Sequence, residues 1–160
     1  MGRTDKENYY LDIAETVAGR STCLRRCYGA ILVKSDEIIA TGYNGAPRGR
    51  KNCVDLDYCT REAMNIPSGE RYELCRSVHA EANAIISAAR RESLGATLYM
   101  ACKDPATGML IAGSTSCSMC RRLIINAGIS RVVIRDTRKD YTLVHVEDWV
   151  REDDSLPRRP

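Results

Sequence analysis

The sequence has no phenylalanine, a single tryptophan and two histidines, and it lacks any apolar run long enough to span a bilayer. A membrane-spanning helix needs about 20 apolar residues in succession, so the sequence does not predict one. The aromatic positions belong to eight tyrosines and Trp149. Because internal repeats, low-complexity stretches and linkers are also missing, the 160 residues predict one compact domain.

Strong charge of either sign is missing too. The net charge is +3, and the basic residues are scattered among acidic ones, so the charge by itself does not indicate nucleic acid and fits a mononucleotide as well as a polymer. The sequence shows no concentrated basic, aromatic-lined stretch that would favour a nucleic-acid partner. Asp5, Lys6 and Glu7 stand where an export signal would be apolar, so we expect a cytoplasmic protein. In that compartment the eight cysteines indicate metal binding or buried thiols rather than disulfides.

Two short motifs carry the chemistry, His79-Ala80-Glu81 and Cys117-Ser118-Met119-Cys120. One imidazole and two thiolates are three zinc ligands, and a zinc with three protein ligands keeps a fourth position open, which is typical of catalytic sites. Glu81 need not touch the metal, and it can move a proton between water and a leaving amine. We therefore predict a catalytic zinc held by His79, Cys117 and Cys120, with Glu81 as the catalytic residue.

Hydrophobic spacing predicts one helix over Ala80–Ala89, with a basic end at Arg90 and Arg91, and another over Cys117–Asn126, closed by Gly128. The metal ligands then lie at two helix N-termini, and the two cysteines share one helix face. Exposed N–H groups and the helix dipole lower the pKa of thiols at such a position. Two helix N-termini are therefore expected to converge on one metal.

Each motif alone has a plainer interpretation. An isolated C-x-x-C fits a redox dithiol, and an isolated histidine before a helix fits a cap or a surface residue. Neither a dithiol nor a structural zinc needs a carboxylate two residues after a histidine, so Glu81 favours the catalytic zinc.

Further motifs resemble those of the deoxycytidylate (dCMP) deaminase family, particularly its bacterial and phage members. They are Val78-His79-Ala80-Glu81-Ala82-Asn83-Ala84-Ile85, Gly42-Tyr43-Asn44-Gly45-Ala46-Pro47, Arg20-Ser21-Thr22-Cys23 and Gly29-Ala30-Ile31. The resemblance covers residues 8–150. It implies a zinc-dependent hydrolase that converts dCMP to dUMP and ammonia in pyrimidine deoxynucleotide metabolism.

The same resemblance implies substrate contacts and regulation. The backbone at Ala80 would contact the base, Asn44 the sugar hydroxyl, and Arg26 or Tyr141 the 5′-phosphate. Asn44 has a second interpretation, because Asn-Gly is an ordinary turn signal. Many members are homohexamers that dCTP, with Mg²⁺, activates and dTTP inhibits, and Gly42–Gly45 resembles part of that regulatory site.

Four other cysteines suggest a second metal site. Residues 51–76 have little apolar periodicity and much turn chemistry, so a long loop is predicted there, and a zinc held by four thiolates would stabilise it. Similar dCMP deaminases carry a structural zinc, and Cys23 and Cys53 match two of its ligands. Cys59 and Cys75 are assigned to the remaining positions on proximity, with buried free thiols as the alternative.

Two departures from the family pattern concern the surroundings of the metal. Ser116 replaces the proline that usually precedes the first cysteine of C-x-x-C, and a serine there can cap the helix. Residues 103–115 form an insertion beside the expected active site, with a turn around Pro105 and Gly108. This insertion could alter substrate choice.

The pattern of elements predicts a three-layer α/β domain with a sheet covered by helices. The family resemblance implies that this is the α/β/α cytidine-deaminase-like fold, with a mixed central sheet. The predicted elements are a helix over 8–18, a hairpin of 29–34 and 38–42 turning at 35–37, strands over 97–101, 131–134 and 143–146, and a last helical turn over 147–151. Residues 8–151 form the domain, and residues 152–160 are expected to be a loose tail.

Two other functions stay open at this stage. One is deamination of another nucleotide or of a nucleic-acid base, as in tRNA adenosine deaminases, which should require a basic surface lined with aromatic residues. The other is a noncatalytic interaction module that zinc staples together, in which Glu81 would have no function.

Overall fold

A computed structural model describes residues 2–153 and 156. Its helices are α1 (Lys6–Ala18), α2 (Cys53–Leu56), α3 (Thr60–Ala63), α4 (Ala80–Ser87), α5 (Arg90–Ser93), α6 (Ser118–Asn126) and α7 (Val146–Glu152). Its strands are β1 (Cys27–Lys34), β2 (Glu37–Tyr43), β3 (Thr97–Lys103), β4 (Arg131–Arg135) and β5 (Tyr141–His145). A short 3-10 turn covers Tyr72–Leu74.

The five strands form one mixed sheet in the order β2-β1-β3-β4-β5. Strand β1 pairs antiparallel with both β2 and β3, β3 pairs parallel with β4, and β4 pairs antiparallel with β5. The parallel pair requires a crossover, and α6 supplies it between β3 and β4. The predicted mixed sheet is confirmed.

Helices cover both faces of this sheet. On one face, Leu11 and Ala14 of α1 pack against Ile31, Tyr99 and Val133 of the three central strands. On the other face, Ala84 of α4, Ile124 of α6 and Val146 of α7 pack against small and branched residues of the sheet. Each central strand is buried from both sides, which confirms the predicted three-layer architecture.

A buried ion cluster joins the α1 layer to the sheet. The Arg135 side chain at the end of β4 is fully buried, and its Nη1 lies 2.6 Å from a carboxylate oxygen of Asp12 and 2.9 Å from one of Glu15. Its Nη2 donates to the side-chain and backbone oxygens of Asn8. A guanidinium is buried at low cost only when it is paired in this way.

The hairpin between β1 and β2 closes with a two-residue loop. Ser35 and Asp36 have φ angles of 52° and 63°, so both adopt the left-handed conformation that two-residue hairpins favour. The sequence uses Ser-Asp in place of the commoner Asn-Gly, and aspartate tolerates this conformation better than most residues.

The structure corrects several predicted boundaries. The helix predicted over Ala80–Ala89 ends at Ser87, and Ala88 is extended, with a ψ angle of 148°. Arg90 begins the separate helix α5, and its Nε donates to the carbonyl of Asn126 at the end of α6. The basic end therefore serves the C-terminus of a neighbouring helix, which only tertiary packing reveals.

The segment predicted as a long loop contains short helices, α2 and α3, and the 3-10 turn. The predicted tail overlaps α7 at Glu152; positions 154, 155 and 157–160 lie outside the described residues. Among the described helices, none combines the length and apolarity needed to cross a bilayer.

Candidate metal centre

His79, Cys117 and Cys120 come together at the N-termini of two helices. His79 is the N-cap residue of α4, Cys117 is the N-cap residue of α6, and Cys120 lies in the first turn of α6. The Nδ1 atom of His79 lies 3.5 Å from the Sγ of Cys117 and 3.4 Å from the Sγ of Cys120. All three ligand atoms lie within 4.8 Å of one another.

Close packing of β2 on α4 fixes the position of His79. A Cβ atom on Gly42 would lie 2.3 Å from the carbonyl oxygen of Ala80 and 2.4 Å from the backbone nitrogen of Ala84. Only glycine allows the strand to approach the first turn of α4 this closely. Ala80 and Ala84 are themselves fully buried, so the first turn is held firmly against the sheet.

Hydrogen bonds among the three side chains shift the pKa values of the histidine and of both thiols. Burial opposes a proton on His79, but hydrogen bonds with Cys117 and Cys75 outweigh burial and raise the pKa of the imidazole to about 10. A hydrogen bond from Cys120 lowers the pKa of the Cys117 thiol to about 4, and the same interaction raises the pKa of Cys120. These directions favour the thiolate form of Cys117 and the protonated form of His79.

This donor set fits zinc. One imidazole nitrogen and two thiol sulfurs are its preferred protein ligands in catalytic sites. Cys117 is held as a thiolate, and a dication would take the place of the protons on His79 and Cys120. Among the described residues, His79, Cys117 and Cys120 are the group of at least three potential metal ligands whose donor atoms all lie within 4.8 Å of one another.

Glu81 lies in the first turn of α4, two residues after the histidine ligand. It is 4% exposed, and burial raises the pKa of its carboxyl group, opposed in part by hydrogen bonds from its own backbone and from the Ser116 side chain. A carboxylate whose pKa is raised by burial can both accept and donate a proton near neutral pH. Glu81 lines the same cavity as His79 and Cys117.

Ser116 does not cap α6, contrary to expectation. The N-cap is Cys117, whose sulfur accepts from the backbone N–H of Cys120. Ser116 is 2% exposed, and its Oγ lies 3.6 Å from the Sδ of Met100. In this chain the residue before C-x-x-C therefore faces the sheet and the Glu81 carboxylate rather than the helix.

A cavity of about 440 Å³ opens over these residues. The predicted insertion supplies one wall, because five consecutive residues, 111–115, line the cavity. A hydrogen bond of 2.9 Å from the Gly113 N–H to a carboxylate oxygen of Asp136 ties this wall to the turn between β4 and β5. Arg26 also lines the cavity, and its side chain is exposed.

Sequence reasoning missed other residues of the cavity. Arg25, Arg61 and Tyr72 line it. Arg61 and Tyr72 belong to the segment predicted as a long loop, for which the sequence suggested metal binding or, in the interaction-module hypothesis, partner binding. In the sequence they are simply an arginine and a tyrosine in a polar stretch, and this pattern is too common to predict a role at the site.

Asn44 lines the cavity and is 5% exposed. Its Oδ1 accepts from the Tyr28 N–H at 2.9 Å and from the Ser21 hydroxyl, and its Nδ2 donates to the carbonyl of Arg26 at 2.8 Å. These hydrogen bonds fix the backbone at Arg26 and Tyr28, where β1 begins.

Ala80, whose backbone is the predicted contact with the base, is fully buried at the start of α4.

Tyr141 lies elsewhere. It begins β5 at the edge of the sheet, is 38% exposed and pairs with Arg135. It is not among the described residues that line the cavity, so the structure does not bring it to the site.

The four remaining predicted cysteines lie near the metal centre. Cys23, Cys59 and Cys75 line the cavity, and after burial all three act electrostatically to raise the pKa of the Cys53 thiol. Among the described residues, no three of these four sulfurs lie within 4.8 Å of one another. The structure gathers them in one region without placing them at ligand distances.

Residues 4–136 match a family model described as the cytidine and deoxycytidylate deaminase zinc-binding region. A deoxycytidylate deaminase of Mycobacterium phage D29 is 38% identical over 138 residues, which cover 83% of this chain and 96% of the phage protein. A deoxycytidylate deaminase of Schizosaccharomyces pombe is 34% identical over 82% of this chain, a match that spans 37% of the yeast protein.

A solved structure shows the same fold. The crystal structure of a dCMP deaminase from the cyanophage S-TIM5, in complex with dCMP and dUMP, matches with a TM-score of 0.55 and 26% identity. The match covers 84% of this chain and 85% of the cyanophage chain.

Proposed function

The chain belongs to the cytidine and deoxycytidylate deaminase family, and from that membership we propose that it hydrolyses dCMP to dUMP and ammonia. The phage D29 and yeast relatives carry the name deoxycytidylate deaminase, and the similar cyanophage enzyme binds dCMP and dUMP. One water molecule adds to C4 of the cytosine ring, and the 4-amino group leaves as ammonia.

His79, Cys117 and Cys120 would hold the zinc ion. When bound, zinc acts as a Lewis acid that makes water a nucleophile near neutral pH. Glu81 takes up the proton that the attacking water loses and passes it to the departing amino group. Its burial suits this transfer, since the raised pKa brings the carboxylic acid and the carboxylate closer in free energy at neutral pH.

The observation that carries the proposal is the buried Glu81 two residues after His79, which converges with Cys117 and Cys120 as a third proposed zinc ligand. The cavity supports a mononucleotide substrate, because about 440 Å³ is enough for a small molecule. Arg25 and Arg26, which line it, suit one phosphate group.

The first test is ammonia release from a panel of dCMP, CMP, deoxycytidine, dAMP, dGMP and short single-stranded DNA. We expect zinc-loaded protein to turn over dCMP. Glu81→Gln should lower kcat by roughly 10²- to 10⁴-fold, the usual contribution of a general acid–base residue, while zinc content stays unchanged. Glu92→Gln, on exposed α5, is the matched control and should keep full activity.

Each other outcome redirects the assignment. Turnover of a different nucleotide or of DNA would keep the chemistry and reject dCMP, and would point to the wall formed by residues 111–115. Equal activity of Glu81→Gln and the unsubstituted protein would reject catalysis at this site and favour the interaction module.

A second, structural zinc held by Cys23, Cys53, Cys59 and Cys75 is part of the proposal. Proximity supports it, since Cys23, Cys59 and Cys75 lie close enough to Cys53 to raise the pKa of its thiol electrostatically, after the larger effect of burial. A hydrogen bond of 3.3 Å from the Val54 N–H to the carbonyl of Thr22 joins the two segments that carry Cys23 and Cys53. Bringing four sulfurs to one ion would complete this arrangement.

Regulation and assembly rest on the family resemblance. We propose a homo-oligomer, a hexamer by that resemblance, that dCTP with Mg²⁺ activates and dTTP inhibits. Saturation curves for dCMP, measured with and without each effector, test this: dCTP should shift the curve to lower substrate concentrations and dTTP to higher ones. Unchanged curves with both effectors would reject regulation. Cytoplasmic location stays a prediction.

A further inference from the structure

The segment between Thr60 and Cys75 folds back over the metal centre, and Arg61 holds it in that shape. The Arg61 side chain is 6% exposed. Its Nη2 donates to the carbonyls of Pro67 and Glu70, each at 2.8 Å, and its Nε donates to Glu70 at 3.1 Å. One buried guanidinium therefore closes the loop from 61 to 70 on itself.

Arg61 also contacts the ring of Tyr72. Its guanidinium carbon lies 4.3 Å from the ring centroid, which is within the range of an attractive cation–π contact. Tyr72 in turn meets His79 edge to face, with ring centroids 5.0 Å apart and ring planes at 85°. Arg61, Tyr72 and His79 thus form a continuous row of ring and guanidinium contacts that ends on a predicted zinc ligand.

A histidine that binds zinc needs its ring held at one angle. Most such histidines achieve this through a hydrogen bond from the second ring nitrogen to a carboxylate, a carbonyl or water. Within the described part of the chain, the side-chain hydrogen bonds of His79 go to thiols, namely those of Cys117, Cys120 and Cys75. No carboxylate among the described residues hydrogen-bonds this ring.

We propose that Tyr72 is a positioning residue for the zinc ligand His79 and that Arg61 holds Tyr72 in place. The edge-to-face contact restricts rotation of the imidazole, so that Nδ1 stays turned toward the two sulfurs of α6. This inference rests on the proposed zinc site. It gives residues 60–75 a function at the catalytic metal in addition to any role in binding a second one.

The test follows zinc at His79 itself. The protein has two histidines, and His145 is exposed on β5, so imidazole ¹⁵N NMR resolves His79 and has an internal reference. Competition with a chelator, followed through the His79 signals, measures zinc at this site alone, because the proposed four-cysteine site contains no histidine.

Tyr72→Leu removes the ring, and we expect zinc affinity at His79 to fall by about two- to tenfold, the range of an aromatic pair, with broadened His79 signals. Tyr72→Phe keeps the ring and should restore both. Tyr58→Leu is the control, since Tyr58 lies two residues before this segment, is 51% exposed and is not among the residues that line the cavity; it should match the unsubstituted protein.

Arg61→Lys provides a second variant, because lysine keeps the charge but lacks the planar fork; it should weaken zinc binding at His79 in the same direction. Unchanged zinc affinity and His79 signals in folded Tyr72→Leu would overturn the proposal. If that variant does not fold, unchanged zinc affinity in Arg61→Lys would overturn it. The measurement needs no substrate, so failure to deaminate dCMP would leave it interpretable. If His79 of the unsubstituted protein did not respond to zinc, the metal site itself would be rejected.

Discussion

Gly42 lies where β2 crosses the first turn of α4, and its missing side chain sets how closely the two pack. The resemblance assigned Gly42–Gly45 to a regulatory site. The structure gives Gly42 a packing role as well, because an added Cβ would overlap backbone atoms of Ala80 and Ala84. Backbone atoms within a core cannot move aside as a flexible side chain can.

Gly42→Ala should therefore displace the turn that carries His79 and Glu81. Overpacking of this kind costs about 1–3 kcal/mol, and a displacement of catalytic groups by about 1 Å can reduce the rate about 100-fold. Denaturant unfolding and kcat measure the two effects. Gly2→Ala is the control, because nothing lies within 4 Å of its added Cβ. A Gly42→Ala protein with unchanged stability and kcat would contradict the packing role.

Single residues also show where sequence reasoning reached its limit at the site. The identity of the zinc ligands follows from their spacing, because an N-cap and the third residue of a helix must share one face. The partners of Ser116 do not follow, because Met100 and Glu81 become its neighbours only after β3 and α4 pack together.

At the scale of elements, α1 is anchored at its N-terminus by Asp5. Its Oδ1 accepts from the Asn8 N–H at 3.0 Å and its Oδ2 accepts from the Asn8 side chain at 2.8 Å. These hydrogen bonds lower the pKa of Asp5 from its ordinary value of 3.8. The capped first turn supports Asn8, which binds Arg135 from the neighbouring layer.

Asp5→Ala should lower the melting temperature at neutral pH. Because the pKa of Asp5 is lower in the folded protein, its charged form contributes stability fully above pH 3.8 and loses that contribution as pH falls through the lowered value. Thermal unfolding of both proteins between pH 7 and pH 3 checks this, and the difference should shrink in acid. Asp5→Asn keeps a capping oxygen and should stay close to the original protein at pH 7. A difference that grew in acid would contradict the assignment.

The elements themselves were predicted well where periodicity is strong. The first helix and the β1–β2 hairpin occur where expected, because alternating and helical patterns mark one-sided burial. The end of α4 was predicted wrongly, since Arg90 binds the carbonyl of Asn126 in another helix. Short helices within residues 51–76 were missed because four-residue helices carry no period.

At the scale of the whole molecule, metal content decides how the cysteines divide between the two proposed sites. Metal analysis should find about two zinc ions per chain, whereas about one would reject the four-cysteine site. Cys59→Ser should reduce the count by about one and lower the melting temperature, because a structural zinc contributes to folding. Cys27→Ser is the control and should leave the count unchanged. Loss of both ions in Cys59→Ser would contradict two independent sites.

The sequence by itself determined the chemistry of this protein. The residue types and spacing in His79-Ala80-Glu81 and in Cys117-Ser118-Met119-Cys120 predict the proposed zinc ligands, the proposed proton carrier and their helix positions, because such properties are local. The layered α/β/α architecture also follows from the chain, since two-sided burial of the central strands shows in their apolar runs.

Only the tertiary structure decided what surrounds that chemistry. It placed residues 111–115 of the predicted insertion in the cavity wall, left Tyr141 at the sheet edge, and brought Arg61 to the face of Tyr72 and Tyr72 edge to face with His79. These contacts join segments far apart in the chain, or segments without periodicity. They depend on how the layers pack and on a buried guanidinium finding carbonyl partners, and neither leaves a local pattern in the sequence.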